Sequence, residues 1–273
     1  MVGGTNGNGT VFKITPQGKL TTLHRFAFAD GSEPAGGLVQ ATDGNFYGMT
    51  EYGGANGKGT VFKITPAGAL TTLYSFCAQP YCADGELPQY AELIQATDGN
   101  FYGMTSQGGA HGSTQCGFGG VGSCGTVFKI TPGGTLTTLY SFCAETNCAD
   151  GGLPFGGLVQ ATNGKFYGTT SGDDFVSSCS GSDCGTVFSL SVGLGPFVET
   201  LPASGEVGAA VKILGNKLTG ATGVSFNGAA ATFTVLSSTE IRASVPSGAT
   251  TGFVAVELPS STLSSNVRFR VIP

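Results

Sequence analysis

The apolar and polar positions of this chain alternate with a period of two, in runs of only five to seven residues. In the run "TVFKIT", Phe62 and Ile64 point to one side of a strand, while Val61 and Lys63 point to the other. The run "LTTLYSF" also alternates and is rich in threonine and aromatic residues, which favour strands. The pattern therefore predicts many short strands and no long helix.

The same phrases return several times along the chain. "GTVFKIT" begins at Gly9, Gly59 and Gly125 and returns as "GTVFSLS" at Gly185, so the copies lie 50, 66 and 60 residues apart. Each of the first three copies adds a Pro-x-Gly turn and a hairpin signal, Asp-Gly or Asn-Gly, between apolar runs. Four antiparallel strands in each such period predict the blade of a β-propeller.

The repeats amount to about three blades. The chain opens halfway through one blade and then has two complete blades, at about 38–76 and 93–142. A further blade begins near residue 158 and stops after its third strand, near residue 190. Closed propellers have four to eight blades. The chain is therefore expected to be an N-terminally truncated fragment, with a ring shared by two chains or an open array as the alternatives.

The amino-acid sequence changes in character after the repeats. From Pro196 onward, 78 residues contain neither Cys nor Tyr, and phrases such as "VKILG", "GVSFNG" and "GFVAVEL" alternate. About seven strands with turns every eight to twelve residues predict a small Ig-like β-sandwich. The predicted fold class is all-β, with propeller-like repeats at 1–191 and an Ig-like domain at 196–273.

Both parts resemble known families. The phrase "GTVFKITPAGALTTLYSF…LIQATDGNFYGMT" resembles the GloVer tandem repeat of bacterial choice-of-anchor surface proteins, and the C-terminal text is similar to the IPT/TIG domain. The first resemblance implies an exported, tethered protein with no established activity. IPT/TIG domains in some transcription factors contact DNA through basic loops. Here five Lys and Arg residues are scattered among four Glu, so that role is not carried over.

Composition and charge narrow the function. Charged residues make up only 11% of the chain and the net charge is -5, so clustered cations for nucleic acid are missing. No apolar run approaches the ~20 residues of a membrane span. The first ten residues do not form a secretory signal, so an export signal is expected to lie outside this chain.

The eight cysteines form four sequential pairs, and each pair comes with an extended loop. The copies with shorter loops have no cysteine at the equivalent positions. A disulfide explains why the cysteines occur in twos, and it indicates an oxidising compartment. A zinc site is the alternative, since Cys-x4-Cys can ligate zinc. The predicted pairs are Cys77/Cys82, Cys116/Cys124, Cys143/Cys148 and Cys179/Cys184.

The recurring carboxylates fit turns. Asp43 and Asp98 lie in hairpin turns, and Asp30, Asp84 and Asp150 recur in the phrase "ADG". Calcium binding in these Gly-rich loops is the alternative interpretation.

No catalytic, cofactor-binding or metal-binding residue can be nominated from the sequence. The two histidines, His24 and His111, lie in unrelated loop positions, so no Ser/His/Asp set is predicted. The loop "GGANGKGT" lacks the adjacent Lys-Ser/Thr pair of a phosphate loop, because Gly59 separates Lys58 from Thr60.

A recurring tyrosine follows Phe in each "FYG" phrase, as Tyr47, Tyr102 and Tyr167. Packing between blades is the simpler interpretation. The functional hypothesis is that these rings stack on sugars or other ligands. Together these features predict a non-enzymatic binding or adhesion protein, extracellular or at the cell surface, whose partner is a polysaccharide or a surface protein. A carbohydrate-binding accessory module and a propeller-based hydrolase or lyase are the alternatives.

Overall fold

The protein is built almost entirely of short strands. The computed structural model describes residues 3–4, 7–113, 122–171 and 185–273. Two compact units are present, Met1–Val159 with Tyr167–Ser189, and Gln160–Phe166 with Leu190–Pro273. Helical structure in the described ranges is limited to the single turns Pro80–Cys82, Thr146–Cys148 and Leu218–Gly220. The predicted all-β class is confirmed, and none of the described helices is long and apolar enough to cross a membrane.

Four small sheets follow one another along the repeats. The first pairs β1 (Thr10–Ile14) with β2 (Leu20–Arg25), and the second has the order β3 (Val39–Gln40), β4 (Phe46–Thr50), β5 (Thr60–Ile64) and β6 (Leu70–Ser75). The third sheet consists of β7 (Ile94–Gln95), β8 (Phe101–Thr105), β11 (Thr126–Ile130) and β12 (Leu136–Ser141). Between β8 and β11 the chain forms a separate two-stranded pairing of β9 (Gly112–Ser113) with β10 (Gly122–Ser123). The fourth contains β13 (Val159–Gln160), β14 (Phe166–Thr169) and β15 (Val187–Leu190). The two-, four-, four- and three-stranded sheets match the strand content predicted from the repeat phrases.

The predicted alternation decides which neighbour each side chain meets. Phe62 and Ile64 on β5 pack with Val11 and Phe26 of the first sheet. Val61, on the opposite face of β5, packs with residues of the third sheet. Consecutive sheets therefore bury opposite faces against each other, which supplies the core that one four-stranded sheet lacks.

One aromatic contact repeats at each sheet boundary. The pairs Phe26–Phe62, Phe76–Phe128 and Phe142–Phe188 each meet edge to face with ring centroids 5.2 Å apart. The register between the third and fourth strands also shifts by one residue at the same place in the first three sheets. The repeat phrases therefore specify one structural unit that recurs with little change.

The second unit has its own sandwich. Its strands are β16 (Glu199–Leu201), β17 (Ser204–Gly205), β18 (Ala210–Leu214), β19 (Gly223–Phe226), β20 (Ala229–Ala230), β21 (Phe233–Val235), β22 (Glu240–Ser244), β23 (Val254–Leu258), β24 (Ser261–Ser264) and β25 (Arg270–Val271). Two four-stranded sheets, β16-β18-β22-β21 and β20-β19-β23-β24, enclose a core that includes Ile213, Phe226, Ile241, Val256 and Phe269. The strands beyond the predicted seven are mainly two-residue pairings, which carry no alternation that a sequence pattern can detect.

Candidate functional site

Two kinds of loop connect the strands of the repeats and differ from copy to copy in length and composition. We call residues 27–37, 77–92 and 143–157 the interblade loops, since each joins one sheet to the next. We call residues 51–59, 106–125 and 171–185 the GT loops, since each leads into a "GTVF" strand. Backbone bridges join Ser32 to Tyr52 and Glu86 to Gln107, so each interblade loop pairs with the GT loop of the sheet that follows it.

One aspartate organises each interblade loop, and it is buried in the second loop and partly buried in the first and third. The Asp84 carboxylate accepts hydrogen bonds from the Tyr74 hydroxyl at 2.7 Å and from the backbone N–H groups of Ala78 and Gln79 at 2.9 and 3.0 Å. Asp150 has the equivalent three donors in the next loop. These hydrogen bonds support the turn interpretation of the aspartates, and calcium binding stays the alternative interpretation.

The pKa values follow from the same contacts. Burial opposes ionisation of Asp150, but the hydrogen bonds from Tyr140 and from two backbone N–H groups outweigh it and lower its pKa. Burial and the hydrogen bond to the neighbouring aspartate raise the pKa of Tyr74 and of Tyr140. In the second of these pairs, Tyr140 is therefore a neutral phenol that donates to the ionised Asp150 carboxylate, and this contact fixes the loop against the strand.

The short first loop has the same turn without cysteines. Asp30 accepts a hydrogen bond from the backbone N–H of Ala27 at 2.8 Å, and its other oxygen lies 3.0 Å from His24 Nε2. His24 thus occupies the place of Tyr74 and Tyr140, and it lies on strand β2 and not in a loop as the sequence had indicated. The aspartate turn is common to all three interblade loops, and the cysteines are additions to two of them.

The structure contains disulfide bonds in the extended loops. Cys77 is joined to Cys82, and Cys143 to Cys148. Cys124 is also disulfide-bonded. Cys116, Cys179 and Cys184 lie outside the described residues, so the pairs Cys116/Cys124 and Cys179/Cys184 stay predictions.

Three of these sulfur atoms lie together. The Sγ atoms of Cys124, Cys143 and Cys148 are all within 4.8 Å of one another. All three cysteines are in disulfide bonds. Zinc ligation requires thiolates, so the oxidised cluster is no zinc site.

The contact between a GT loop and the next interblade loop changes its chemistry from copy to copy. In the first copy the Ser32 hydroxyl donates to Asn8 Oδ1 at 3.0 Å. In the second copy the Lys58 ammonium lies 2.6 Å from a Glu86 carboxylate oxygen. The third copy has Cys124 at the equivalent place. Lys58 is therefore used in an ion pair between loops, which agrees with the sequence-based rejection of a phosphate loop.

A buried carboxylate lies beside this contact. Glu51 accepts a short hydrogen bond from the Gln89 side-chain amide, and Ser106 donates to the Leu87 carbonyl oxygen at 2.6 Å. A hydrogen bond to Glu51, followed by burial, raises the pKa of Tyr52. Among the described residues, this cluster therefore consists of carboxylate, amide and hydroxyl groups that hydrogen-bond the loops to one another.

The structure corrects the stacking hypothesis for two of the three repeated tyrosines. Tyr47 and Tyr102 are buried. The Tyr47 hydroxyl donates a hydrogen bond to Asp43, and the Tyr102 hydroxyl donates one to Asp98. The Tyr47 ring stacks on Phe101 of the next sheet with centroids 4.0 Å apart. These rings pack between blades and offer no face to a ligand.

Tyr167 is the exception among the repeated tyrosines because its ring is about one-third exposed. The difference arises from its position in the last of the four sheets. A stacking role for Tyr167 stays a prediction.

Two other aromatic residues, which the sequence reading missed, are exposed on an interblade loop. Tyr81 lies inside the Cys77–Cys82 loop, is 97% exposed and has a left-handed backbone conformation, φ 57°. Tyr90 is 65% exposed in the same interblade loop. Both residues are confined to one copy, since the equivalent loops read "ETNC" and "PFGG". Comparing the loops for residues that do not repeat would have found them.

The comparisons with known proteins agree with the repeat and sandwich architecture. The profile of the Gloeobacter/Verrucomicrobia repeat matches residues 1–229, and that of the IPT/TIG domain matches residues 197–271. Both predicted resemblances are thereby confirmed. The two matches overlap, so the proposed domain bounds of 1–191 and 196–273 stay a prediction.

Other comparisons add little. No curated protein sequence matches the chain. One crystal structure, described as a gluconolactonase, is similar over 93% of this chain and 80% of its own, with 13% identity and a TM-score of 0.38. A likeness of this degree carries no argument about activity.

Proposed function

Since this chain belongs to the Gloeobacter/Verrucomicrobia repeat family and ends in an IPT/TIG domain, we propose that it is a non-enzymatic binding and adhesion protein. The proposal rests on the difference between the strands and the loops of each repeat. Buried strands recur with little change, while the interblade and GT loops differ in length, charge and aromatic content. Variable loops on a repeated rigid scaffold are typical of recognition surfaces.

The proposed place of action is outside the cytoplasm, in the extracellular space or at the cell surface. The disulfides in the extended loops support it, because cytoplasmic thiols are kept reduced. The expected state of the protein from an oxidising host is four disulfides. Intact mass before and after reduction measures this directly, and eight free thiols would contradict the compartment.

The proposed ligand is a polysaccharide, with a surface protein as the alternative partner. Tyr81 favours the sugar because its ring is exposed and its backbone lies in a short loop that a disulfide closes, and exposed aromatic faces on constrained loops suit stacking on sugar rings. A carbohydrate-binding accessory module is therefore the specific form of binding protein that the loops support best.

An array of immobilised glycans and extracellular proteins tests the ligand class. We expect glycan binding that falls at least about tenfold in Tyr81→Ala and Tyr90→Ala, which corresponds to about 1.4 kcal/mol. The matched control is Phe253→Ala, because Phe253 is an exposed aromatic of the other unit. Equal loss in the control, or binding that ignores both tyrosines, would move the site away from this interblade loop.

The enzymatic alternative, a hydrolase or lyase, makes a separate prediction. Incubation with soluble polysaccharides should release no new reducing or unsaturated ends above a heat-treated control. Turnover of any of these substrates would overturn the non-enzymatic proposal even if the glycan array shows binding.

A further inference from the structure

Each repeat sheet has two chemically different apolar faces. One face carries a Phe and an Ile from the third strand and a Leu from the fourth, as in Phe62, Ile64 and Leu70; we call it the phenylalanine face. The other carries a Val from the third strand and a Tyr from the second, as in Val61 and Tyr47; we call it the valine face. Alternation along each strand places the two sets on opposite sides of the sheet.

Inside the array, a phenylalanine face always packs on the valine face of the sheet before it. Phe62 and Ile64 pack on the first sheet, and Phe128 and Ile130 pack on Val61 and Tyr47 of the second. Phe62, Ile64, Phe128 and Ile130 are all 0% exposed as a result. The same pairing of faces continues to the fourth sheet, where Phe188 meets Phe142.

The phenylalanine face of the first sheet is uncovered. Phe12, Ile14 and Leu20 occupy the positions of Phe62, Ile64 and Leu70, and they are 54%, 60% and 56% exposed. Adjacent exposed apolar side chains of this size mark an interaction surface.

The valine face of the fourth sheet is uncovered as well. Val187 occupies the position of Val61 and Val127, which are 0% and 1% exposed, yet Val187 is 81% exposed. Val159 on β13 is 64% exposed. The two ends of the array therefore expose opposite faces of the one interface that the protein already uses between its sheets.

We propose that the phenylalanine face of the first sheet binds the valine face of the fourth sheet in a second copy of this chain. The occupant follows from the internal packing, because three successive boundaries join these same two faces. Such a contact is head to tail: each copy uses a different patch at each end. A head-to-tail contact closes into a ring if its rotation permits and otherwise extends into a longer oligomer.

Sedimentation or light scattering across a concentration series tests association. The wild-type chain should reach at least twice its monomer mass of 27.4 kDa as concentration rises. Phe12→Lys with Ile14→Lys blocks one face, and Val187→Lys blocks the other, so each variant should stay monomeric. These side chains are exposed, so circular dichroism should show that the variants keep the wild-type strand content.

Mixing the two variants provides the decisive arm. Each retains the face that the other lacks, so an equimolar mixture should regain association through one intact contact. Val207→Lys is the matched control, since Val207 is 55% exposed in the other unit and should leave association unchanged. A wild-type chain that stays monomeric, variants that still associate, or a mixture that stays monomeric would each overturn the proposal.

Discussion

At the scale of single residues, two of the repeated tyrosines are structural because their hydroxyl groups donate hydrogen bonds inside the fold. Tyr47 donates to Asp43 at 2.9 Å, and Tyr102 donates to Asp98 at 3.0 Å. Each aspartate also accepts the backbone N–H of the asparagine two positions later, which fixes the hairpin turn. The tyrosine thus ties its strand to the turn that precedes it.

The ionisation of Tyr47 predicts a loss of stability at alkaline pH. Burial, and then the hydrogen bond to Asp43, raise the pKa of Tyr47 from 10.0 to about 12. Between these values the unfolded chain releases a proton that the folded protein keeps, so the free energy of unfolding falls as pH rises. Denaturant titrations from pH 9 to 12 should show this fall, and Tyr47→Phe should make it less steep while costing about 1 kcal/mol at neutral pH. Parallel curves for both proteins would contradict the assignment.

The sequence predicted the hairpin roles of Asp43 and Asp98, and it gave packing between blades as the simpler role of the tyrosines. It did not separate the two buried tyrosines from the exposed one. Turn chemistry is local, since the carboxylate reaches an N–H two residues away. Whether a strand residue is covered depends on the neighbouring sheet, as the contrast between buried Tyr47 and Tyr167, which is about one-third exposed, shows. In the sequence, only the position of Tyr167 in the last blade indicated that its exposure could differ from that of Tyr47.

At the scale of elements, the interblade loop is organised first by its aspartate and only then by its disulfide. The loop without cysteines keeps the Asp30–Ala27 hydrogen bond, so the turn does not require the bridge. The glycine after each aspartate is required by close packing. Gly85 has φ +99°, and a Cβ there would lie 2.5 Å from Thr105 Oγ1 and 2.7 Å from Thr126 Oγ1.

Two variants of one loop separate these contributions. Cys77→Ala with Cys82→Ala frees a six-residue loop and should cost about 2 kcal/mol of unfolding free energy. Asp84→Ala removes a buried acceptor of three hydrogen bonds and should cost more than about 3 kcal/mol. Hydrogen exchange gives the local readout: the amides of Ala78 and Gln79 should stay protected in the cysteine variant and lose protection in Asp84→Ala. The reverse order of effects would make the disulfide the main organiser.

The repeat alignment predicted the strands and the cysteine pairs, whereas the contacts between loops were beyond it. Lys58 and Glu86 are far apart in the alignment, and the other copies have Asn8 with Ser32 or a cysteine at those places. No single copy contains a motif that predicts the ion pair between Lys58 and Glu86. It becomes visible only when the loops of consecutive sheets are placed side by side.

At the scale of the whole molecule, the chain buries the apolar faces of its sheets in two different ways. The repeats bury each sheet between its neighbours, with clusters that run from one sheet to the next. The second unit closes two sheets on each other around one core. Among the described residues, the sandwich cluster shares no residue with these two repeat clusters, so each unit has its own buried core.

Separate cores predict separate unfolding transitions. Phe226 in the sandwich and Phe76 in the repeats are both buried, and each meets a second phenylalanine edge to face, Phe269 or Phe128. Replacing either by Ala should cost about 3–5 kcal/mol, because it leaves a cavity where a ring was packed. In scanning calorimetry, Phe226→Ala should lower the temperature of one transition and leave the other in place, and Phe76→Ala should do the reverse. The two variants control for each other, since they make the same chemical change in different cores. One transition that both substitutions lower equally would mean that the cores unfold as a single unit despite sharing no residue.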